Sequence, residues 1–315
     1  MENPIFLKPV FKERIWGGTA LRDTFNYKIP SENTGECWAI SAHPHGQSVV
    51  DSGEFNGKML SELWDNHHEL FGYYDSDHFP LLIKVLDAND DLSIQVHPND
   101  TYANEFENDA FGKTECWYII NCDENAEIIL GHYAVTKEQF ANMIKNEQWN
   151  MLLQRIKIKP GDFFYIPSGT LHALCKGTLV LETQQSSDTT YRVYDYHRRD
   201  QEGNLRELYI EKAIKVTTIP HIANRVEPAV SKTKTSTITT FVEGQYFTFY
   251  KWDVYSRLEM NQDKHFMLVS VIEGGGMLIV KDERYSIQRG QHFILPYGIS
   301  NFIIEGVVQL IVSHP

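Results

Sequence analysis

The chain has 315 residues, with 29 Lys and Arg against 42 Asp and Glu, which gives a formal net charge of -13. A protein of that sign repels nucleic acid and anionic membranes, so we expect neither as a partner, and a phosphorylated substrate needs a local basic pocket. The four cysteines form no CxxC pair, the N-terminus has no signal pattern and no apolar run reaches about 18 residues, so we expect a reduced, cytoplasmic protein.

The N-terminal part contains extended patterns rich in aromatic residues. A first stretch ends at Trp16, directly before two glycines. In residues 35–41, period-two alternation predicts a strand with Glu36, Trp38 and Ile40 on one face.

Residues 79–86 form an apolar strand pattern that one lysine, Lys84, interrupts. On an edge strand this side chain would extend to water. Within a sheet it would instead point a cation into a pocket. The pattern leaves both interpretations open.

The next stretch, residues 93–98, alternates so that Gln95 and His97 leave the same face of a strand while Ile94 faces a core. Pro98 ends the strand, and Asn99 can begin a short helix. Two side chains able to bind a metal ion therefore point the same way.

Two further candidate ligands follow, Glu115 before an apolar strand and His172 after a Pro-x-Gly turn. A lone histidine such as His172 is more often a hydrogen-bonded structural residue. As a set, Gln95, His97, Glu115 and His172 would form a mixed nitrogen and oxygen site suited to Zn²⁺, if the fold brings three strands together.

Short strands, glycine-bearing turns and few helices predict an antiparallel β-sandwich or barrel. Residues 116–121 and 126–131 read as a hairpin, and a helix over 136–150 begins at the capping residue Thr136. A second helix is predicted over 207–216, and 220–240 reads as a polar crossover.

An internal repeat aligns residues 158–169 without a gap on residues 287–298. In this alignment His172 falls opposite Asn301, and the second copy has no Gln-x-His pattern. We therefore predict two β units, a domain over 1–227 with the metal site and a domain over 228–315 without metal ligands.

Two polar clusters have open interpretations. Arg192 shares a strand face with Tyr194 and either pairs with Asp195 or Asp188 at a surface, or points into the cavity that Glu182 faces. His43 and His45 flank Pro44, a pattern that favours a solvated turn.

Taken together, the stretch around Gln95 to Asn99, the Lys-Thr-Glu at 113–115, the Gly-Thr-Leu-His-Ala at 169–173 and Arg192 resemble the type I mannose-6-phosphate isomerases. The resemblance covers most of residues 1 to about 220. It implies two cupin-like, jelly-roll units, one Zn²⁺ per chain held by Gln95, His97, Glu115 and His172, and a catalytic role for Arg192. A single predicted helix between Glu115 and His172 matches the short, bacterial form.

Such an enzyme interconverts mannose 6-phosphate and fructose 6-phosphate through an enediolate. Lys84 and Lys113 are then candidates to bind the phosphate or nearby oxygens of the substrate, and Glu182, Glu36 or Lys113 to act as base. Trp16 and Trp38 are candidates to pack against the sugar, although a core role suits both. Two alternatives remain at this point, a cupin Fe(II) oxygenase and a non-enzymatic sugar-binding cupin.

Overall fold

The computed structural model describes residues 3–199 and 203–315, and these form the mainly β fold that the sequence predicts. The predicted N-terminal domain includes residues 1, 2 and 200–202, which lie outside the described residues. None of the helices in the described part of the chain has the length and apolar character needed to span a membrane.

The strands of the N-terminal part are short. They are β1 (Ile5–Lys8), β2 (Val10–Gly18), β3 (Thr34–Ile40), β4 (Ala42–His43), β5 (Gly46–Gln47), β6 (Val49–Val50), β7 (Leu81–Ala88), β8 (Ile94–Val96), β9 (Glu115–Cys122), β10 (Glu127–His132), β11 (Leu153–Lys157), β12 (Phe163–Ile166), β13 (His172–Leu174), β14 (Thr178–Gln185) and β15 (Tyr191–Tyr194).

The C-terminal part contains two strands of 14 residues. Its strands are β16 (Ala229–Lys232), β17 (Ser236–Glu243), β18 (Thr248–Val254), β19 (Arg257–Asn261), β20 (Met267–Val280), β21 (Glu283–Gln288), β22 (His292–Leu295) and β23 (Asn301–His314). The helices are α1 (Ala20–Phe25), α2 (Leu60–Asn66), α3 (Asp100–Glu107), α4 (Lys137–Lys145), α5 (Trp149–Leu152) and α6 (Ile210–Val216), with a 3₁₀ turn over His68–Phe71.

Two antiparallel sheets face each other in the N-terminal unit. One has the order β11-β10-β13-β8-β15, and the other has the order β12-β9-β14-β7-β3-β2. An apolar cluster with members from both sheets, including Trp117, Val180 and Leu174, fills the space between them. Helices α4 and α6 cover the outer face of the five-stranded sheet.

The six-stranded sheet is buried on both faces, because its second face packs against the C-terminal sheet. Strand β7 lies in its interior, between β14 and β3, and all of its residues are buried. Lys84 on this strand is 6% exposed. The interpretation of Lys84 as an edge-strand charge that extends to water is therefore wrong.

The predicted hairpin of residues 116–131 is also wrong. Strand β9 pairs with β12 and β14, whereas β10 pairs with β11 and β13 in the facing sheet. Asn125, with φ of 62°, helps the connection to turn the chain from one sheet to the other. The sequence of a tight turn between two apolar strands looks the same whether the second strand pairs with the first or joins the facing sheet.

The internal repeat is confirmed in structure. Strands β12 and β22 occupy the aligned positions, and the glycines before them, Gly161 and Gly290, both have positive φ, 92° and 88°. His172 begins β13, and its counterpart Asn301 begins β23. The two copies thus share their local chain path.

The division into domains 1–227 and 228–315 stays a prediction. Strand β16 begins one residue after Pro228 and pairs with β17, so the expected crossover over 220–240 is a hairpin in its second half. Strands β1 and β6 from the N-terminal part extend the C-terminal sheet beyond β22.

Two local predictions need adjustment. Thr136 caps α4 by accepting a hydrogen bond from the Gln139 amide, as expected, but the helix ends at Lys145 and α5 follows separately. In β3 the pairing with β7 shifts register after Trp38. Ile40 therefore joins the core cluster on the other face, apart from Glu36 and Trp38.

Candidate active site

Strands of the five-stranded sheet place the first candidate ligands side by side. Gln95 on β8 pairs with His172 on β13, and Arg192 on β15 pairs with Gln95 from the other side. His97 directly follows β8, and its carbonyl accepts a hydrogen bond from the amide of Gly169. That contact ties the end of β8 to the turn that leads into His172.

Glu115 reaches the same place from the facing sheet, since it is the first residue of β9. The chain before it passes close to the start of α3 at Gly112. A Cβ at this position would lie 2.5 Å from the backbone of Asn99 and Asp100. The close approach requires glycine and brings Glu115 against His97.

His97, Glu115 and His172 form one compact, buried cluster. Nε2 of His172 lies 3.2 Å from Oε1 of Glu115, and Nε2 of His97 lies 3.5 Å from Oε2 of Glu115. Each imidazole donates its Nδ1 proton to a backbone carbonyl, of Thr189 and of Thr170, each at 2.8 Å. Both Nε2 lone pairs therefore face the carboxylate.

Burial keeps both imidazoles neutral. It lowers the pKa of His97 well below its usual value and that of His172 to about 4, and the nearby Lys113 ammonium lowers both further. Neutral imidazoles and a carboxylate are the ligands that Zn²⁺ prefers in proteins. Oε1 of Glu115 is buried without a hydrogen-bond partner, which an ion at this position would correct.

Lys113 is the cation next to this cluster. Its ammonium lies 3.0 Å from Nε2 of His97 and contacts the carboxylate of Glu115. Burial lowers its pKa, but Glu115 and other carboxylates outweigh burial, so the pKa of Lys113 is raised. Lys113 is therefore protonated in the folded protein.

The amide of Gln95 is oriented differently from a metal ligand. Its nitrogen, not its oxygen, lies 3.5 Å from Nε2 of His172. Direct metal binding through the oxygen would need the amide to turn over. If Gln95 contacts His172 and does not bind the metal itself, its amide can keep the orientation seen here.

One row of the six-stranded sheet presents functional groups to the cavity between the sheets. Glu182 on β14 pairs with Trp117 on β9 and with Lys84 on β7, and Lys84 pairs with Trp38 on β3. Trp117 donates its indole hydrogen to Glu182 at 2.9 Å, and the Lys84 ammonium lies 3.6 Å from the same carboxylate. Lys84 also lies 5.0 Å above the Trp38 ring.

These groups line a cavity of about 630 Å³ that also exposes Gln95, Lys113 and Arg192. Within the described residues, Arg192 forms no ion pair with Asp195 or Asp188, and its guanidinium Nε is buried without a partner. The surface-pair interpretation of Arg192 is therefore wrong.

The remaining candidates on the cavity wall are tied to one another. Glu36 accepts hydrogen bonds from Arg14 and from the indole of Trp38. Burial raises the pKa of Glu36, but Lys84 and Arg14 outweigh it and lower the pKa. Trp16 and Trp38 are both buried and both line the cavity. Each therefore packs in the core and also forms part of the cavity wall.

The expected solvated turn is confirmed for His45, which is exposed between β4 and β5, but it is wrong for His43, which is buried at the end of β4. They belong to a small hairpin, β4 and β5, and both imidazoles face Asp188, at 3.6 Å and 2.5 Å. His43 is buried and accepts a hydrogen bond from the His45 amide at Nδ1. Its Nε2 then carries the proton, which disfavours a metal ion at this cluster.

Several cavity residues were missed by sequence reasoning. Arg14 shares a strand face with Trp16, and this spacing was an available signal. Arg206, Lys212 and Glu107 also line the cavity. They come from a loop and from helix ends, where no periodic pattern points to a site.

Comparison with known proteins gives matches along the whole chain. A family model described as "Phosphomannose isomerase type I, catalytic domain" matches residues 5–113, and one described as "Mannose-6-phosphate isomerase, cupin domain" matches residues 237–315. The chain is 58% identical over 313 residues to "Putative mannose-6-phosphate isomerase YvyI" and 55% identical over 312 residues to "Mannose-6-phosphate isomerase ManA", both from Bacillus subtilis (strain 168), with 99% of each chain covered.

A solved structure gives the same result. The crystal structure of the mannose 6-phosphate isomerase from Bacillus subtilis matches with a TM-score of 0.98 and 57% identity, and the match covers 100% of both chains. The predicted cupin-type fold is therefore confirmed.

Proposed function

The chain belongs to the type I mannose-6-phosphate isomerases, and from this premise we propose that it interconverts mannose 6-phosphate and fructose 6-phosphate with one Zn²⁺ held by His97, Glu115 and His172. We propose Gln95 as a fourth, weaker member of this set. A cytoplasmic location fits the charge of the chain and stays a prediction.

One observation supports the metal most strongly. Three buried acceptors converge, the two Nε2 atoms and the carboxylate of Glu115, and both Nδ1 protons are already used on backbone carbonyls. Buried acceptors that face each other are unfavourable unless a cation lies among them. Lys113 contacts part of the set but leaves Oε1 of Glu115 without a partner.

When bound, Zn²⁺ supplies a Lewis acid for the oxygens at C1 and C2 of the sugar. Arg192, whose strand neighbour is Gln95, directs its guanidinium charge to the enediolate that forms during proton transfer. Lys84 and Lys113 bind hydroxyl or carbonyl oxygens of the substrate along the six-stranded sheet.

Glu182 is the group best suited to carry the proton between C1 and C2. Lys113 is held protonated by Glu115, and Glu36 accepts two hydrogen bonds from Arg14, whereas the Lys84 ammonium lies 3.6 Å from Glu182, beyond hydrogen-bond distance. Lys113 and Glu36 are therefore weaker bases than Glu182. Glu182 faces the cavity between the indole of Trp117 and the ammonium of Lys84. Both contacts hold the carboxylate in place for proton transfer.

The test is a coupled assay that follows fructose 6-phosphate formed from mannose 6-phosphate, run on the wild type, His172→Ala and His132→Ala. His132 is a matched control, since it is a buried histidine on the neighbouring strand whose imidazole hydrogen-bonds the backbone carbonyl of Thr218. We expect His172→Ala to lose nearly all activity and His132→Ala to keep it. Full activity of His172→Ala would contradict the proposal.

The family assignment decides against a non-enzymatic sugar-binding cupin. The Fe(II) oxygenase alternative also fits two histidines and a carboxylate as ligands. It predicts bound iron and oxygen uptake. The cavity favours the isomerase, because it is lined by Lys84, Lys113 and Arg192, groups suited to a phosphosugar.

A further inference from the structure

Residues 14–17 form a part of the cavity wall that leaves its strand pairing. Strand β2 pairs with Thr34 of β3 twice, through Glu13 and again through Gly18, so the residues between them form a bulge. Trp16 in this bulge is buried and lines the cavity. Its position therefore depends on contacts other than the strand ladder.

The end of β7 and the turn after it hold this bulge in place. The Asp90 amide donates to the Trp16 carbonyl at 3.1 Å. Oδ2 of Asp87 on β7 accepts a hydrogen bond of 2.7 Å from the Ala20 amide at the start of α1. A Cβ at Gly18 would lie 2.9 Å from the same Oδ2, so the carboxyl lies directly against the backbone that leaves the bulge.

The Asp87 carboxyl is buried, at 5% exposed. Among the described groups on α1, β3 and β14, which pack against it, the charge that acts on this carboxyl is that of Asp23. Burial raises the pKa of Asp87 to about 6, and Asp23 adds to this, whereas the Ala20 hydrogen bond lowers it. In an opened state the hydrated carboxyl has a pKa near its usual value of about 3.9. Proton uptake therefore favours the closed, anchored state as the pH falls through about 6.

We propose that Asp87 is a positioning residue for the isomerase reaction, and that it holds Trp16 against the bound sugar by accepting the hydrogen bond from Ala20. This inference rests on the proposed function for the identity of the substrate. Trp16 packs against the sugar in the ground state and in the transition state alike, so a displaced Trp16 weakens substrate binding more than turnover. Asp87 itself does not line the cavity, and it acts only through the bulge.

The experiment uses the full-length protein with added Zn²⁺ and compares the wild type with Asp87→Ala, Asp87→Asn and Asp162→Ala. Asp87→Ala removes the acceptor, whereas Asp87→Asn keeps an acceptor oxygen for the Ala20 amide without a charge. Asp162 is the matched control, because its carboxylate also accepts a backbone amide, that of Lys159, in a turn that does not line the cavity.

We expect Asp87→Ala to raise KM for mannose 6-phosphate about threefold to tenfold, the range for the packing of one aromatic ring, and to change kcat by less than about twofold. Asp87→Asn and Asp162→Ala should both keep KM within about twofold of the wild type. Because Asp87 acts through Trp16, the two positions are coupled, so Asp87→Ala should add nothing to the KM of Trp16→Ala.

A second readout does not depend on activity. Hydrogen–deuterium exchange of residues 14–22 without substrate, corrected for the intrinsic rate, should be about tenfold faster in Asp87→Ala than in the wild type, because one hydrogen bond to a charged group is lost. Between pH 8 and pH 5.5 the corrected exchange of the wild type should slow, because proton uptake by Asp87 favours the anchored state. Exchange in Asp87→Asn should not change with pH.

Unchanged KM in Asp87→Ala would overturn the proposal. An equal increase of KM in Asp87→Asn, or a further increase when Asp87→Ala is added to Trp16→Ala, would overturn it as well, because the effect would then not pass through this hydrogen bond to Trp16. Failure of the proposed function has a different signature, in which exchange responds to Asp87 as expected but the wild type with Zn²⁺ does not convert mannose 6-phosphate.

Discussion

Oε1 of Glu115 lies 3.2 Å from Nε2 of His172 in the buried cluster, and no hydrogen bond joins the two atoms. Nδ1 of His172 uses the imidazole proton on the Thr170 carbonyl, and burial lowers the pKa of His172 to about 4, so a second proton is absent at neutral pH. Two lone pairs that face each other at this distance support our proposal that a cation binds between them.

The four candidate ligands should differ in their effect on metal binding. His172→Ala removes an inward lone pair, so we expect the purified variant to contain almost no metal. Gln95→Ala removes a neighbour whose amide nitrogen faces His172, and metal affinity should fall only about tenfold to a hundredfold, the usual effect of a ligand's neighbour. Titration with a competing chelator measures both. Equal loss in Gln95→Ala would instead make Gln95 a direct ligand.

Arg192→Ala should keep the metal and lose turnover. The guanidinium has no carboxylate partner among the described residues, so its removal leaves no buried charge unpaired. Loss of a group that stabilises a developing oxyanion lowers kcat by about 10² to 10³. Arg225→Ala, at an exposed surface ion pair, is the control. Unchanged kcat in Arg192→Ala would remove Arg192 from its catalytic role.

The buried pair of Lys84 and Glu182 should show strong coupling in stability. Lys84→Met leaves the Glu182 carboxylate, 4% exposed, without its cation, and we expect a loss of about 3 kcal/mol in the free energy of unfolding. The double variant Lys84→Met with Glu182→Gln should recover to within about 1 kcal/mol of the wild type. Urea unfolding of the four proteins in the cycle measures the coupling. Additive losses would show that the two charges do not interact.

His292 should make the protein sensitive to acid. It is buried between the hydroxyls of Tyr27 and Ser270, and burial lowers its pKa to about 3. The unfolded chain takes up this proton below about pH 6.5, whereas the folded chain does not, so stability is lost as the pH falls from about 6.5 towards 3. By pH 4 the loss is on the order of 3 kcal/mol.

His292→Phe tests this directly, because the residue at the aligned position of the first copy is Phe163. The variant loses a contact with Ser270 and is less stable near pH 8. Its deficit relative to the wild type should shrink between pH 7 and pH 4, as measured by urea unfolding in the presence of chelator. A deficit that stays constant with pH would show that His292 is not the acid-sensitive group.

The sequence predicts what depends on neighbours along the chain. Alternation placed Gln95 and His97 on one face of a strand, Asn99 at the start of α3 and Thr136 at the start of α4, because strand and capping patterns are local. The gapless repeat located two strands with the same path. These predictions needed no knowledge of the tertiary structure.

What the sequence does not predict is pairing between distant segments. The turn at residues 122–125 looks like a hairpin whether the next strand pairs with β9 or crosses to the facing sheet, as it does here. The convergence of Glu115 with His97 and His172 spans both sheets, so the residue types suggested the set but no local pattern showed that the fold brings it together. Arg206 lies in a loop without periodicity, and only the return of the chain along β15 brings it to the cavity.

Metal content and isomerase activity measured on the same samples test the central claim most directly. The purified chain is treated with increasing chelator, and zinc per chain and the rate of fructose 6-phosphate formation are determined at each step, followed by addition of Zn²⁺. We expect one zinc per chain at full activity, activity proportional to zinc content, and recovery on reconstitution. Full activity in metal-free protein, or stoichiometric iron with oxygen uptake, would contradict it.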